Sequence, residues 1–297
     1  MRKNSVMVCL LAASGLTAAR APDAAAAPWA DAVVDYAPGT TAQPGYTTPS
    51  VALGSPERVT GEIFGFPSNV TMFNPPFGND EIVSIGEGGH LTVHMGQPVI
   101  NDPAHLYGVD LIVFGKAAFE DADYPNGQQF NPARLFGSQP LFVEVSADGS
   151  SWFPVAPRAN SLFPTQGFLD AAANGDGPAS NPTNFLRPVN PSLTLADFNG
   201  LSYAQSLALY DGSGGGTPID IGPTGMASVS FVRISLPDDG NPATSLRGEI
   251  DAFAAVPEPT SLAFIACSLA FLRVRARQQS SELGRLLSGS CRGKRRA

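Results

Sequence analysis

Cysteine is nearly absent from this 297-residue chain, and its three cysteines lie near the two ends, at Cys9, Cys267 and Cys291. The long stretch from Pro28 to Val256 contains none, so no disulfide bond can stabilise it. Because 43% of all residues are hydrophobic, the chain has enough apolar side chains to form a packed core instead. We therefore expect a domain whose stability comes from side-chain packing.

Basic residues are also scarce in this stretch. Between Pro28 and Val256, 23 Asp and Glu residues stand against 7 Arg and Lys residues, a formal net charge of −16. A surface with this charge repels phosphate backbones, which argues against a nucleic-acid partner. The remaining 11 basic residues lie outside the stretch, close to the two ends of the chain. Charge and cysteine content therefore divide the chain at the same borders.

Sustained helical periodicity is missing between residues 57 and 255, where short β-type runs alternate with Gly, Pro, Asn and Asp. The pattern predicts an all-β domain, an antiparallel jelly-roll-like β-sandwich, after an extended lead-in over residues 28–56 that carries a first strand near Ala32–Tyr36. The predicted strands of the domain are Val59–Phe64, Glu81–Ile85, His90–Met95, Val109–Phe114, Leu141–Ala147, Trp152–Ala156, Ser206–Tyr210, Ser228–Leu236 and Ile250–Ala255.

The clearest local pattern is a hairpin over Leu141–Val155. Apolar and polar residues alternate along its first arm, and Asp148-Gly149 supplies a turn that tolerates positive φ. Trp152 and Phe153 then begin the returning strand.

The N-terminal 27 residues have the features of a secretory signal peptide. Arg2 and Lys3 precede the apolar stretch Val6–Leu16, and both Ala19-Arg20-Ala21 and Ala25-Ala26-Ala27 satisfy the A-x-A cleavage pattern. The alternative interpretation is a short N-terminal membrane anchor. Either way, we expect the following residues to be exported.

Residues 256–297 begin with a second membrane-directed pattern. Thr260–Leu272 is a run of 13 uncharged residues, opened by Pro257-Glu258-Pro259 and closed by three arginines, Arg273, Arg275 and Arg277. As a helix the run would extend roughly 20 Å, against ~30 Å for the hydrocarbon core of a bilayer. The sequence predicts a short C-terminal transmembrane helix with the arginines on the cytoplasmic side. A buried helix of a globular domain is the alternative.

This order of Pro-Glu-Pro, apolar run and arginine cluster resembles the PEP-CTERM sorting signal of bacterial surface proteins. The resemblance implies that an exosortase-type processing enzyme recognises Pro257, Glu258 and Pro259. It also implies transient anchoring in the membrane, followed by a place at the cell surface or outside the cell. The apolar run is shorter than such signals usually have, and residues 278–297 continue where they normally stop.

A second resemblance rests on the segments VEVSADGSSW, FVRISL and EIDAF, which are similar to the discoidin, or galactose-binding-like, jelly-roll sandwiches. Together with GEGGHLTVHMGQPV and GVDLIVFG they resemble a group of bacterial surface proteins that carry PEP-CTERM tails. The resemblance implies a fold and a location. It implies no known chemistry.

Calcium is the one cofactor for which we find candidate ligands. Asp121 and Asp123 lie in a loop with Asn126 and Gly127, and carboxylate and carbonyl oxygens are what Ca²⁺ requires. Galactose-binding-like sandwiches often hold a structural calcium near their loops. We hypothesise one structural Ca²⁺ that involves Asp121, Asp123 or Glu249. A solvated acidic loop is the alternative.

Catalytic patterns are weak. His90 and His94 stand four residues apart, but residue 91 is leucine where a zinc protease needs glutamate, so partly exposed strand histidines are expected. No G-x-S-x-G motif occurs. We therefore expect no enzyme, but a non-enzymatic exported protein associated with the cell envelope or extracellular polysaccharide. The alternative is a carbohydrate-binding module whose loop-end site uses aromatic residues such as Tyr107, Phe119, Tyr124 and Phe130.

Overall fold

The computed structural model describes residues 27–258, except residues 138, 161 and 242. The predicted signal peptide up to residue 26 therefore lies outside the described residues. So do Pro259, the predicted transmembrane segment and the basic residues Arg273, Arg275 and Arg277. Among the residues that are described, no helix has the length and apolar character needed to cross a bilayer.

The described chain is mostly β-structure, as predicted. It contains one α-helix, α1 (Tyr203–Tyr210), and short 3-10 turns at Pro49–Ala52, Glu62–Phe64, Leu106–Gly108, Leu195–Phe198 and Gly222–Thr224. Its strands are β1 (Ala30–Ala37), β2 (Val59–Thr60), β3 (Ser68–Asn69), β4 (Val83–Gly86), β5 (Gly89–Ile100), β6 (Leu111–Gly115), β7 (Ala118–Phe119), β8 (Leu135–Phe136), β9 (Leu141–Ser146), β10 (Phe153–Ala159), β11 (Thr217–Ile219), β12 (Ser228–Leu236) and β13 (Arg247–Ala255).

Two antiparallel sheets form the body of the domain. One has the strand order β1-β5-β12-β9-β10 and the other β11-β6-β13-β4. Val232, Ile234 and Leu236 alternate along β12 and are buried, as is Val229 on the other side of a register shift. They pack in one core with residues of the second sheet such as Phe253. The expectation of an all-β domain built from antiparallel sheets is confirmed in this form.

The four-stranded sheet is covered on both of its faces. Every residue of β6 is buried, and β13 is buried from its second residue onward. Phe114 of β6 and Ala252 of β13 face away from the main core and pack with Phe185, which belongs to the long segment after β10. The aromatic rings of Phe114 and Phe185 lie 5.4 Å apart in an edge-to-face arrangement. Part of the long segment between β10 and α1 therefore belongs to the hydrophobic core.

The predicted strand Ser206–Tyr210 is wrong, because these residues belong to α1. The Ser202 hydroxyl accepts a hydrogen bond from the Gln205 amide, while the Gln205 side chain accepts one from the Ser202 amide, a capping box that starts a helix. Tyr210 at the other end is buried and donates its hydroxyl proton to the Pro164 carbonyl at 2.9 Å.

The predicted strand Val59–Phe64 is also only partly present. It ends at Thr60, because Gly61 has φ of +79° and the chain turns into a 3-10 segment. The predicted first strand is confirmed and is longer than expected, since β1 pairs along β5 and makes part of the lead-in an edge of the larger sheet. The hairpin of β9 and β10 is confirmed, with Phe153 opposite Val145.

The first and last described strands bring the two ends of the domain together. The Ala255 amide donates a hydrogen bond to the Pro28 carbonyl at 2.7 Å, and Trp29 forms a β-bridge with Ala254. The residues that follow the predicted leader and those that precede the predicted tail thus lie side by side.

Phe253 is fully buried between the sheets, so its truncation should strongly destabilise the folded domain. We expect Phe253→Ala to lower the free energy of unfolding by about 3–5 kcal/mol, because it removes apolar contacts and leaves a cavity. Val34→Ala is the matched control, since Val34 is 53% exposed and its truncation should change stability by less than about 0.5 kcal/mol. Urea unfolding measures both, and equal costs would contradict this description of the core.

Candidate functional site

The candidate site lies where β13 ends and the chain continues toward its predicted tail. Val256 donates its amide proton to the main-chain carbonyl of Asp110 at 2.8 Å. This bond fixes the residues just before Pro257 and Glu258 against the start of β6. The segment between β5 and β6, which contains Asp102 and His105, forms the opposite side of the site.

Asp110 is the organising residue of this site. Its Oδ1 atom lies 2.8 Å from Nδ1 of His105 and accepts a hydrogen bond from the Asp102 amide at 3.1 Å. Its Oδ2 atom accepts one from the Ile221 amide at 3.1 Å. The side chains of His105 and Asp110 are 0% and 1% exposed. Asp110 therefore holds the imidazole ring in one orientation inside the protein.

The other ring nitrogen of His105 has no partner. Nε2 is buried and forms no hydrogen bond with any described residue. The Asp110 carboxylate accepts at Nδ1, so in the neutral ring the proton lies on Nδ1 and the lone pair on Nε2. A buried nitrogen in this state is available as a base or as a metal ligand.

Two carboxylates complete the site. One ring nitrogen of His105 and one oxygen from each of Asp102 and Glu258 all lie within 4.8 Å of one another. A hydrogen bond from the Ala104 amide lowers the pKa of Asp102, and a hydrogen bond with Glu258 lowers it further. Burial raises the pKa of Glu258, and its contact with Asp102 raises it further. The contact between the two carboxyl groups therefore shifts their pKa values in opposite directions.

A cavity of about 300 Å³ borders the site. Its walls include His105, Leu106, Pro188, Val256 and Pro257. The cavity places space for a small molecule or ion beside the segment that carries His105.

Neither protein-family models nor curated proteins gave a match to this chain. The functional argument therefore depends on the geometry and chemistry of its own residues.

Of the residues predicted from the sequence, Pro257 and Glu258 lie at this site, and Pro259 is outside the described residues. Sequence reasoning missed His105, Asp102 and Asp110. The spacing of Asp102, His105 and Asp110 in one short segment was a weak signal for them. The third ligand-type residue, Glu258, is distant in sequence and is brought near only by the end of β13.

The proposed calcium ligands are not gathered in one place. Within the described ranges, no group of three carboxylate or imidazole ligand atoms as close as 4.8 Å includes Asp121, Asp123 or Glu249. Asp121 instead accepts hydrogen bonds from the amides of Asp123, Gly127 and Gln128 at 2.9–3.0 Å, so it stabilises its own loop. Calcium binding that involves Asp121, Asp123 or Glu249 stays a prediction.

Glu249 has a different environment. It lies in β13, where it is 4% exposed, and its Oε1 atom is 3.5 Å from Nε of Arg247. The Glu249 carboxylate is therefore buried and forms an ion pair with Arg247.

His90 and His94 are partly exposed strand residues, as predicted. His90 Nε2 lies 2.8 Å from Asp35, and His94 Nδ1 lies 2.7 Å from Asp31, both across the pairing of β1 with β5. Their side chains are 30% and 39% exposed. The hydrogen bond with His90 lowers the pKa of Asp35.

The aromatic residues suggested for sugar binding do not form one surface. Tyr124 is 75% exposed and Tyr107 is 46% exposed, but Phe119 is fully buried and cannot contact a ligand. Phe130 is half-buried with the Arg134 guanidinium 4.5 Å from its ring centre. Phe119 is therefore removed from this set, because its side chain fills the satellite core under the long loops.

The sequence also did not predict that the carboxyl group of Asp251 in β13 interacts with those of Glu57 and Glu81. Both oxygens of Asp251 accept from the Glu57 amide, at 3.2 and 3.3 Å. Burial raises the pKa of Asp251 well above its usual range, and repulsion by Glu57 adds to this. Burial, together with repulsion by Glu81, raises the pKa of Glu57 to about 7.

These raised pKa values predict a stability that falls with rising pH. Between the ordinary value of 4.5 and about 7, folded Glu57 keeps a proton that the unfolded chain has released. We expect Glu57→Gln to flatten this decline and to raise Tm above that of the wild type at pH 8, with little difference at pH 4. Thermal melts from pH 4 to 8 measure the effect. The control is Glu120→Gln, which alters a carboxylate that is 39% exposed; equal slopes in all three proteins would contradict the prediction.

Proposed function

We propose that the protein is a non-enzymatic exported surface protein, a galactose-binding-like, jelly-roll-type β-sandwich that a PEP-CTERM-type tail delivers to the cell surface or the extracellular space. Before processing, the C-terminal segment holds it in the membrane, and an exosortase-type enzyme is its processing partner. Its final place is the cell envelope or the extracellular polysaccharide.

The observation that carries this proposal is the pairing of the two ends of the domain. Pro28 and Ala255 are joined by a hydrogen bond of 2.7 Å. A precursor with a leader before Pro28 and a membrane segment after Val256 is then attached to the membrane through one pole of the domain. No strand needs to unfold or cross over while either segment is in the bilayer.

The position of the recognition residues supports the same proposal. Pro257 and Glu258 follow β13 directly, and Glu258 is only half-buried. A cut after this motif removes no strand of the domain. The acidic surface and the absence of cysteine between Pro28 and Val256 suit a protein that folds outside the cytoplasm without disulfide exchange.

Processing is tested with an epitope tag placed after Ala297 in the native host. We expect the mature protein to lose the tag and to end close to Pro259, as measured by mass spectrometry of its C-terminal peptide. Pro259→Ala should retain the tag on most of the protein, whereas Pro237→Ala, an exposed proline elsewhere, should not. A wild-type protein that keeps its tag at the cell surface would contradict the proposal.

A carbohydrate-binding module is a second candidate, because the turn after β2 presents exposed aromatic rings. Phe64 and Phe66 are 45% and 67% exposed, with ring centres 6.2 Å apart and planes 21° from parallel. Phe64 also stacks on Phe77 at 5.9 Å, and glycines with positive φ at 61 and 65 fix the turn. Flat, fixed rings of this kind are a platform on which the apolar face of a sugar can lie.

A glycan array with the exported protein tests this second candidate. We expect Phe66→Ala to lower the affinity for the bound glycan at least tenfold if the platform is used. Tyr124→Ala tests the exposed loop aromatic in the same assay. Phe142→Ala, which alters a strand residue that is 38% exposed, is the control. Absence of glycan binding by the wild type would leave the structural surface role as the function.

A further inference from the structure

We propose that His105, Asp102 and Glu258 bind one divalent transition-metal ion, with Asp110 as the positioning residue that orients His105. The proposal does not depend on sorting or on sugar binding. It depends on the three side chains and on the environment of the imidazole.

The donor set is the first argument. An imidazole nitrogen and one oxygen each from two carboxylates lie within 4.8 Å of one another. A shared ion would hold each of them at about 2.0–2.2 Å. Three protein ligands leave a further position on the ion for water or another small ligand. The cavity of about 300 Å³ that borders His105 gives that ligand space.

The unpartnered nitrogen is the second, independent argument. His105 is 3% exposed, and Nε2 is buried without a hydrogen bond to any residue that the structure describes. A buried polar atom without a partner destabilises the folded state. A metal ion at Nε2 removes this destabilisation, because the lone pair then forms a coordinate bond.

The third argument is the hydrogen bond on the opposite side of the ring. Histidine ligands commonly donate their second ring N–H to a carboxylate, which fixes the tautomer and raises the basicity of the ligating nitrogen. Asp110 does this at 2.8 Å, and its other bonds to the Asp102 and Ile221 amides keep it from moving.

The chemistry of the ligands selects the class of metal. Calcium and magnesium prefer sites made only of oxygen atoms, whereas imidazole with carboxylates suits zinc and related transition metals. A second acidic cluster, Glu87 with Asp238 and Asp239, contains no histidine and two exposed members, and it supplies a matched control.

The site would join two distant parts of the chain. Asp102 and His105 lie between β5 and β6, whereas Glu258 follows β13. A bound ion therefore fastens the first residues after the last strand to the body of the domain.

The test is zinc titration of the purified full chain by calorimetry, after removal of metal with a chelator and alkylation of its three cysteines. We expect one Zn²⁺ per chain. Glu258→Gln and Asp102→Asn should each weaken binding at least tenfold, because each removes a charged ligand without removing side-chain volume. Both positions lie outside the core, so these variants should fold. Asp238→Asn should bind zinc like the wild type.

A second measurement tests the assignment of His105. We expect the X-ray absorption spectrum of the zinc-loaded chain to fit nitrogen and oxygen neighbours that include one imidazole, and His105→Gln to lose that signature. Absence of zinc binding, unchanged affinity in both Glu258→Gln and Asp102→Asn, or calcium binding as tightly as zinc would each overturn the proposal. Loss of the C-terminal tag in the processing assay has no bearing on these outcomes.

Discussion

The structure depends on strand β13, which is paired on both edges and buried on both faces. Its first half pairs with β4 and its second half with β6, and its apolar residues contribute to two different hydrophobic clusters. Many secreted domains are stabilised by disulfide bonds, but no disulfide is available between Pro28 and Val256. In this domain the pairing and packing of β13 stabilise the fold instead. The strand joins the two layers of the fold, closes the domain against Pro28 and positions the residues that follow.

Buried charge near β13 has two different consequences. Asp110 is satisfied by three donors, so its burial orders its surroundings. Asp251 is buried and lies near other carboxyls, so its pKa rises well above the usual range despite the hydrogen bonds from the Glu57 amide. One aspartate just before β6 thus acts as a rigid support, and another in the neighbouring strand β13 is a source of pH dependence.

Local patterns predicted much of this fold. The hairpin of β9 and β10 and the strand β12 could be recognised, because strand-forming residues and turn residues are close together in the sequence. The helix α1 was not predicted, although Ser202 and Gln205 form a capping-box pattern. The short, mostly apolar run Ser206–Tyr210 was interpreted as a strand instead. The packing of Phe185 on Phe114 could not be predicted, since it depends on the path of a long segment.

Local sequence patterns predicted less of the candidate site than of the fold. Pro257 and Glu258 were recognised from a contiguous motif. His105 is one of three histidines in the sequence, and no motif singles it out. Its importance comes from its proximity to Asp110 and Glu258, which exists only after folding. The unpaired state of Nε2 has no counterpart in the sequence, because it is a property of the space around the ring.

The pairing of β13 also determines how the domain resists mechanical load. A pull at Pro257 acts along β13, and the hydrogen bonds to β6, between Ile250 and Ala255, lie roughly perpendicular to that direction. Such a pull therefore loads these hydrogen bonds together in shear, so they do not break one after another.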